Sequence, residues 1–416
     1  MRSTASCFWS VSRDVSVKAA APTSAPPSVL HVVGDLSRGA VENWLVRMLA
    51  YARKRDAGVS WTFYCAFGES GDLGKTAQAL GARVVCSPVP IARKIDFIRA
   101  LRAELRRGRY DVLHCHHDLV SAVYLLASLG LPVRKRIVHA HNADEAVLTP
   151  SALKRRLYRE PMRRVCLAMA DHIVGISNHT LDTLLAGHSR RGGLDMVHYY
   201  GVDAALFTSE EPDRVAFRQG LGFPPDARVL LFAGRVVPEK NPLFAVDVLS
   251  ELRRLDSRFV ALFAGAGSLT EAVHVRAQKL GVEPWIRLIG WRNDLAYVMG
   301  CADLFILPRP EQPMEGFGLA VVEAQLAGLR LLLSRGIPND PILPTASYRR
   351  LPLAVGAGAW ARAGVELLTT PTQSHAAVLA AFEKSAMQMD RALEELVLLH
   401  ESPRPTKISA NASGPC

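Results

Sequence analysis

Short runs rich in β-branched and aromatic residues alternate with amphipathic segments along this chain, and the series runs twice. The first series reads SVLHVVG, SWTFYCAF, ARVVCSP, DVLHCHH, RIVHAHN, HIVGIS and MVHYYG, with helical patterns such as ENWLVRMLAYARK between most of them. After a polar, proline-containing joint at 201–213 it resumes as RVLLFAG, FVALFAGAG, IRLIGW, LFILP and RLLLS. Strand–helix alternation of this kind predicts parallel sheets covered by helices on both faces. The chain, at 416 residues, is long enough for two such α/β domains with separate cores. We expect a leader at 1–27, one domain over 28–203 and a second over 204–374. A helix over 375–401 and a tail over 402–416 follow. Leader and tail are rich in Pro, Ala and Ser and are expected to be disordered. Two doubly wound domains facing one another leave a cleft at the carboxyl ends of their strands, where such sheets bind ligands.

Composition narrows the class. A 49% hydrophobic and 21% charged content is that of a folded protein, and no apolar run approaches the ~18 residues of a spanning helix. The first residues carry no apolar stretch ahead of a cleavage site, so no secretory signal is expected. Seven scattered cysteines without a CxxC pair fit a reducing cytoplasm. Cys65, Cys86, Cys115 and Cys166 sit in apolar contexts and are expected to be small buried hydrophobes. The net charge of +11 lies wholly in the first half: residues 1–200 carry +12 and residues 201–416 carry −1. That asymmetry points to an anionic partner for the first domain.

Two stretches of the second domain carry candidate chemistry. In LLFAGRVVPEKNPLF, Gly234 permits a tight exit from a strand, with Arg235 and Lys240 flanking the turn. Two cations at a strand end can neutralise a diphosphate, or can simply be a solvated loop. In PMEGFGLAVVEAQLAG, at 313–328, Gly316, Phe317, Gly318 and Leu319 open a helix whose first amides can face the cleft and favour an anion. Glu315 in the loop can accept from sugar hydroxyls, and Glu323, within the helix, can reach a ribose diol. A sugar nucleotide has all three parts: diol, diphosphate and hexose.

At these residues the chain resembles the retaining glycosyltransferases of family 4, which have the GT-B fold of two Rossmann-like doubly wound domains facing a central cleft. The resemblance runs from about residue 28 to 400. It rests on Glu315-x7-Glu323, GRVVPEK before it, and RIVHAHN, ISNHTLDTLL, YYGVDAALF and VEAQLAGLRLLLS, which look most like bacterial capsular and exopolysaccharide transferases. The resemblance implies that Arg235 and Lys240 hold the donor diphosphate. It assigns Glu323 to the ribose, Glu315 to the transferred sugar and the Phe317–Leu319 amides to the phosphates. It also places His141 beside that sugar. LSRGAVENWL is similar to a family loop that usually reads Gly-Gly-Ala-Glu. Gly39 matches its first glycine, and Ala40 replaces the second.

His114 and His116 share one face of their strand, as do His139 and His141 of theirs. Four imidazoles there can bind zinc, but core or cleft packing explains them as well, and no metal is expected. With no Asp-x-Asp element, the diphosphate is expected to rely on cations and a helix terminus. Basic helical segments, ARKIDFIRALRAELRRGR and SALKRRLYREPMRR, suit anionic lipid headgroups. They lack the interleaved aromatics of nucleic-acid binders.

The resulting expectation is a cytoplasmic enzyme, peripheral at the inner face of a bacterial membrane. It would move a hexose from a nucleotide diphosphate donor, UDP rather than GDP, to a lipid-linked glycan. A nucleotide-sugar epimerase of the same fold and a non-catalytic sugar-nucleotide-binding component of an assembly complex are the alternatives. A nicotinamide oxidoreductase is disfavoured because no G-x-G-x-x-G follows the first strand.

Overall fold

The computed structural model describes residues 25–37, 39–142, 152–208 and 212–404, with the side chains of 152–156 excluded. Most of the expected leader and tail therefore lies outside the described residues. The first sheet holds β1 (Ser28–Val33), β2 (Ser60–Cys65), β3 (Arg83–Cys86), β4 (Val112–Cys115), β5 (Lys135–Ala140), β6 (His172–Gly175) and β7 (Asp195–Val197). The second holds β8 (Arg228–Ala233), β9 (Phe259–Ala264), β10 (Ile286–Gly290), β11 (Leu304–Leu307), β12 (Arg330–Ser334) and β13 (Tyr348–Leu351). Their orders are β3-β2-β1-β4-β5-β6-β7 and β10-β9-β8-β11-β12-β13, and all pairings between these strands are parallel.

Helices α1 (Ala40–Lys54), α2 (Gly74–Ala79), α3 (Lys94–Gly108), α4 (Ser121–Ala127), α5 (Ala152–Met169) and α6 (Asn178–Leu185) cross over within the first sheet. The second series contains α7 (Arg214–Gly220), α8 (Pro242–Leu255), α9 (Thr270–Lys279), α10 (Leu295–Gly300), α11 (Leu319–Leu326) and α12 (Gly356–Thr369). The chain closes with α13 (His375–Glu383) and α14 (Met389–Glu401). None of the described helices is long and apolar enough to cross a membrane.

Strand alternation buries both faces of the first sheet. Along β1, Leu30 and Val32 join the core under α3 and α4, while Val29 and Val33 join the one under α1 and α14. Helix α1 meets this second core with Trp44, Leu45, Met48, Leu49 and Ala52, a helical-period stripe. Helix α14 supplies Met389, Ala392, Leu393, Leu396 and Leu399 at the same period. That core also contains Phe317, Val322 and Leu326 from in and around α11, so it ties α11 to the first sheet, while the strands of the second sheet pack in a core of their own.

Three sequence expectations are corrected. The segment 375–401 is two helices rather than one, because Val202 donates to the Met387 carbonyl and accepts from the Met389 amide. Those bonds turn the chain between α13 and α14. Cys86 is exposed rather than buried, since β3 is the edge of its sheet. The basic segments are also partly structural. Arg102 donates to the carbonyls of Ala127 and Leu129, and Arg163 is buried against the Leu184 carbonyl and Glu160. The side chains of Lys154, Arg155 and Arg156 lie outside the described residues.

Candidate active site

The carboxyl ends of β8 and β11 and the start of α11 meet where the two sheets face each other. Gly234 ends β8 at φ +141°, and a Cβ on Gly265 would stand 2.0 Å from the Gly234 carbonyl, so this turn tolerates little bulk. Beyond it Asn241 takes a left-handed conformation at φ 52° and Pro242 starts α8, which fixes where Lys240 leaves the backbone.

Lys240 Nζ reaches Glu315 Oε2 at 2.5 Å, and Arg309 Nη1 reaches the same oxygen at 3.2 Å. Arg309, which follows β11, is anchored by its Nε donating to the Pro313 carbonyl at 2.9 Å. Burial pushes the Glu315 carboxyl upward, but Lys240 and Arg309, with help from Arg235, hold it below the usual range and ionised. Burial lowers the Lys240 amine despite the Glu315 charge. Arg235 is exposed and acts electrostatically on Glu315, Lys240 and Glu42. Three cations around one carboxylate leave excess positive charge, which suits an anion.

Helix α11 starts at Gly318, φ +94°, with no side-chain cap, so its first turn is open to a ligand. The loop ahead of it is pressed onto the first sheet. Ser177 Oγ donates to the Gly316 carbonyl at 2.6 Å, and a Cβ on Gly316 would lie 2.4 Å from the His141 carbonyl. Phe317 is 1% exposed, its ring against Tyr199 and Tyr200, so only its backbone is left for a ligand. Asp340 adds bonds across the same junction, accepting from the Asn178 backbone and side chain at 2.8 Å each and from Tyr199 at 3.2 Å.

The structure thus gathers Arg235, Lys240, Glu315, Gly316 and His141 at one junction. His141 enters it through its backbone. Its ring nitrogens are committed to His116 and Tyr200, both at 2.9 Å, and burial lowers it to about 3. A role for the ring on a substrate requires breaking one of those bonds. Glu323, further along α11, is paired with Arg47 of α1 at 3.2 Å. Gly39 precedes α1, and a Cβ there would meet Glu42 Oε2 at 2.1 Å; Ala40 is exposed as the first residue of the helix.

Two residues escaped the sequence reading. Arg309 carries a weak signal, a basic residue just past a strand end. Glu42 is the acid of the Gly-Gly-Ala-Glu-like loop and lies within electrostatic reach of Arg235; burial raises it to about 7.

Comparison with known proteins fits this geometry. The model "Glycosyltransferase Family 4" matches residues 41–204, and "Glycosyl transferases group 1" matches 213–340, together most of the chain. The chain is a family 4 glycosyltransferase. The glycosyltransferase is 24% identical to the putative glycosyltransferase EpsF of Bacillus subtilis over 344 residues, 81% of this chain and 87% of that one. It is 24% identical to the UDP-Gal:alpha-D-GlcNAc-diphosphoundecaprenol alpha-1,3-galactosyltransferase of Escherichia coli, covering 63% of this chain and 67% of the relative. The D-inositol 3-phosphate glycosyltransferase of Mycolicibacterium gilvum is 32% identical, but the alignment spans 55% of this chain and about half, 52%, of that one. Among solved structures, Anabaena Alr3699/HepE in complex with UDP and glucose superposes with a TM-score of 0.68 at 16% identity, covering 90% of this chain and 99% of that one. The fold is GT-B.

Proposed function

We propose that this glycosyltransferase moves a hexose from a UDP-sugar to a lipid-linked glycan in bacterial polysaccharide biosynthesis, with retention of anomeric configuration. The observation that carries this reading is the cationic site of Lys240, Arg309 and Arg235 around Glu315, at the strand ends and the open start of α11. The names of the E. coli relative and of the HepE complex, which cite a UDP-sugar, a diphosphoundecaprenol acceptor and UDP, support the choice of donor and acceptor class.

In this mechanism the cations and the first α11 amides hold the diphosphate and stabilise it as it departs. Glu315 orients the hexose hydroxyls, and Glu323 exchanges Arg47 for the ribose diol. Three cations offset the departing charge, so added Mg2+ or Mn2+ is not required. The transferase works at the inner face of the cell membrane. There Arg93 and Arg99 flank Ile95, which is 68% exposed, and Leu157, 67% exposed, lies nearby across the Lys94–Tyr158 contact.

The test is transfer from a panel of UDP- and GDP-hexoses to a diphosphoundecaprenol-linked acceptor, with the product anomer read by NMR. Transfer from a UDP-hexose with retained configuration, changed less than about twofold by adding Mg2+, is expected. Donor isomerisation, or binding without transfer, would overturn the reading.

A further inference from the structure

Seven imidazoles lie buried on the α1/α14 side of the first sheet: His31, His114, His116, His139, His141, His198 and His400. Six of them form two hydrogen-bonded strings. One runs from Tyr200 through His141 (2.9 Å) and His116 (2.9 Å) to His31 Nδ1 (3.0 Å). The other runs from His139 to His114 Nε2 (3.2 Å) and from His114 Nδ1 to His400 Nε2 (3.0 Å). The strings approach each other at His31, whose ring centroid is 5.1 Å from that of His114 and 5.5 Å from that of His400. His31 Nε2 is buried there without a hydrogen-bond partner. A neutral imidazole nitrogen in that state forfeits the bond it makes in water, so a ligand that fills the gap is favoured.

We infer that His31, His114 and His400 bind one divalent ion of the zinc class, which pins α14 to β1 and β4. A ligand nitrogen from each of the three lies within 4.8 Å of those of the other two, close enough for modest rotations to close a shared coordination sphere. The donors are then His31 Nε2, His114 Nδ1 and His400 Nε2. The remaining ring nitrogens of two ligands already have the outer partners that metal-bound histidines take: His31 Nδ1 faces His116 Nε2, and His114 Nε2 faces His139 Nδ1.

Three neutral imidazoles suit Zn2+, Co2+ or Ni2+ and not Mg2+ or Ca2+, which require oxygen. A neighbouring set, His114, His116 and His139, also converges. It is the weaker one, because both nitrogens of His116 are held by His31 and His141. A cavity of about 10 Å3 lined by Val29, Trp61, His400 and Glu401 adjoins the preferred set, about the space one water needs.

Such an ion acts through folding. His400 belongs to the last described helix, 286 positions from His114, so binding energy realised there stabilises the closed chain. It also fixes a proton order. With Nε2 on the ion, His31 donates from Nδ1 to His116, and His116 donates from Nδ1 to the His141 Nε2.

The test uses the full-length protein. After loading with Zn2+ and gel filtration, elemental analysis should find about one equivalent, and a strong chelator should lower Tm by about 5 °C or more. Co2+ loading should give visible d–d bands of low-coordinate cobalt without a thiolate charge-transfer band. H400L and H31L should lose the equivalent, while H188A, at an exposed histidine away from the cluster, should retain it. If either leucine variant fails to fold by circular dichroism, the cobalt spectrum of the unaltered chain decides. No retained metal, a thiolate band, or an equivalent that survives in folded H400L overturns the site.

Discussion

Glu315 keeps a charge that its burial opposes, and it does so because two side chains from different loops converge on one of its oxygens. Removing one of them tests the anion site directly. Arg309→Ala should lower kcat/KM for the donor by about 10–100-fold, roughly 1.4–2.7 kcal/mol, in steady-state assays. Arg309→Lys should restore only part of it, because an ammonium cannot replace the guanidinium fork. Glu42 supplies a pH dependence. Its folded value of about 7 lies above the ordinary 4.5, raised by burial first and by Asp35 to a lesser degree, with a backbone hydrogen bond and Arg235 opposing. The sign follows: stability from its neutral form is complete below 4.5 and is lost as pH rises through 7. Above 7 its carboxylate also competes with the donor diphosphate for Arg235. The donor KM should therefore rise a few-fold between pH 6 and 8, and Glu42→Gln should flatten that rise. An unchanged slope in the variant would remove Glu42 from the site.

At the scale of elements, α11 presents its open first turn only because the loop before it is wedged onto the end of β5. Gly316 meets the His141 carbonyl, and Phe317 fills a space beside Tyr200. Gly316→Ala should push these elements apart, raising the donor KM several-fold and lowering Tm by a few degrees. Gly192→Ala, where an added Cβ meets nothing within 4 Å, is the matched control and should be silent. A Gly316 variant with native kinetics would mean that the junction does not shape the site.

At the scale of the whole molecule, the core on the α1 side of the first sheet includes α14 and takes in Phe317, Val322 and Leu326 of the second series. Leu396 is fully buried in it. Leu396→Ala should cost about 2–5 kcal/mol, read from urea unfolding. If the two sheets unfold independently, only one of two transitions should move; the shared core predicts that a single transition shifts.

The sequence by itself determined the two parallel sheets, because strand period and turn residues are local properties that twelve of the thirteen strands express. β13 was missed because YRRL carries no apolar run. Glu315, Lys240 and Arg235 were legible for the same reason: each follows a strand or opens a helix within a short motif. Contacts over long separations were not. Nothing near residue 42 announces Arg235, and nothing near His31 announces His400. The burial that raises Glu42 and the packing that turns the His141 ring inward arise only when distant segments exclude water together. Chain connectivity set the elements; desolvation at their meeting points decided which side chains carry charge.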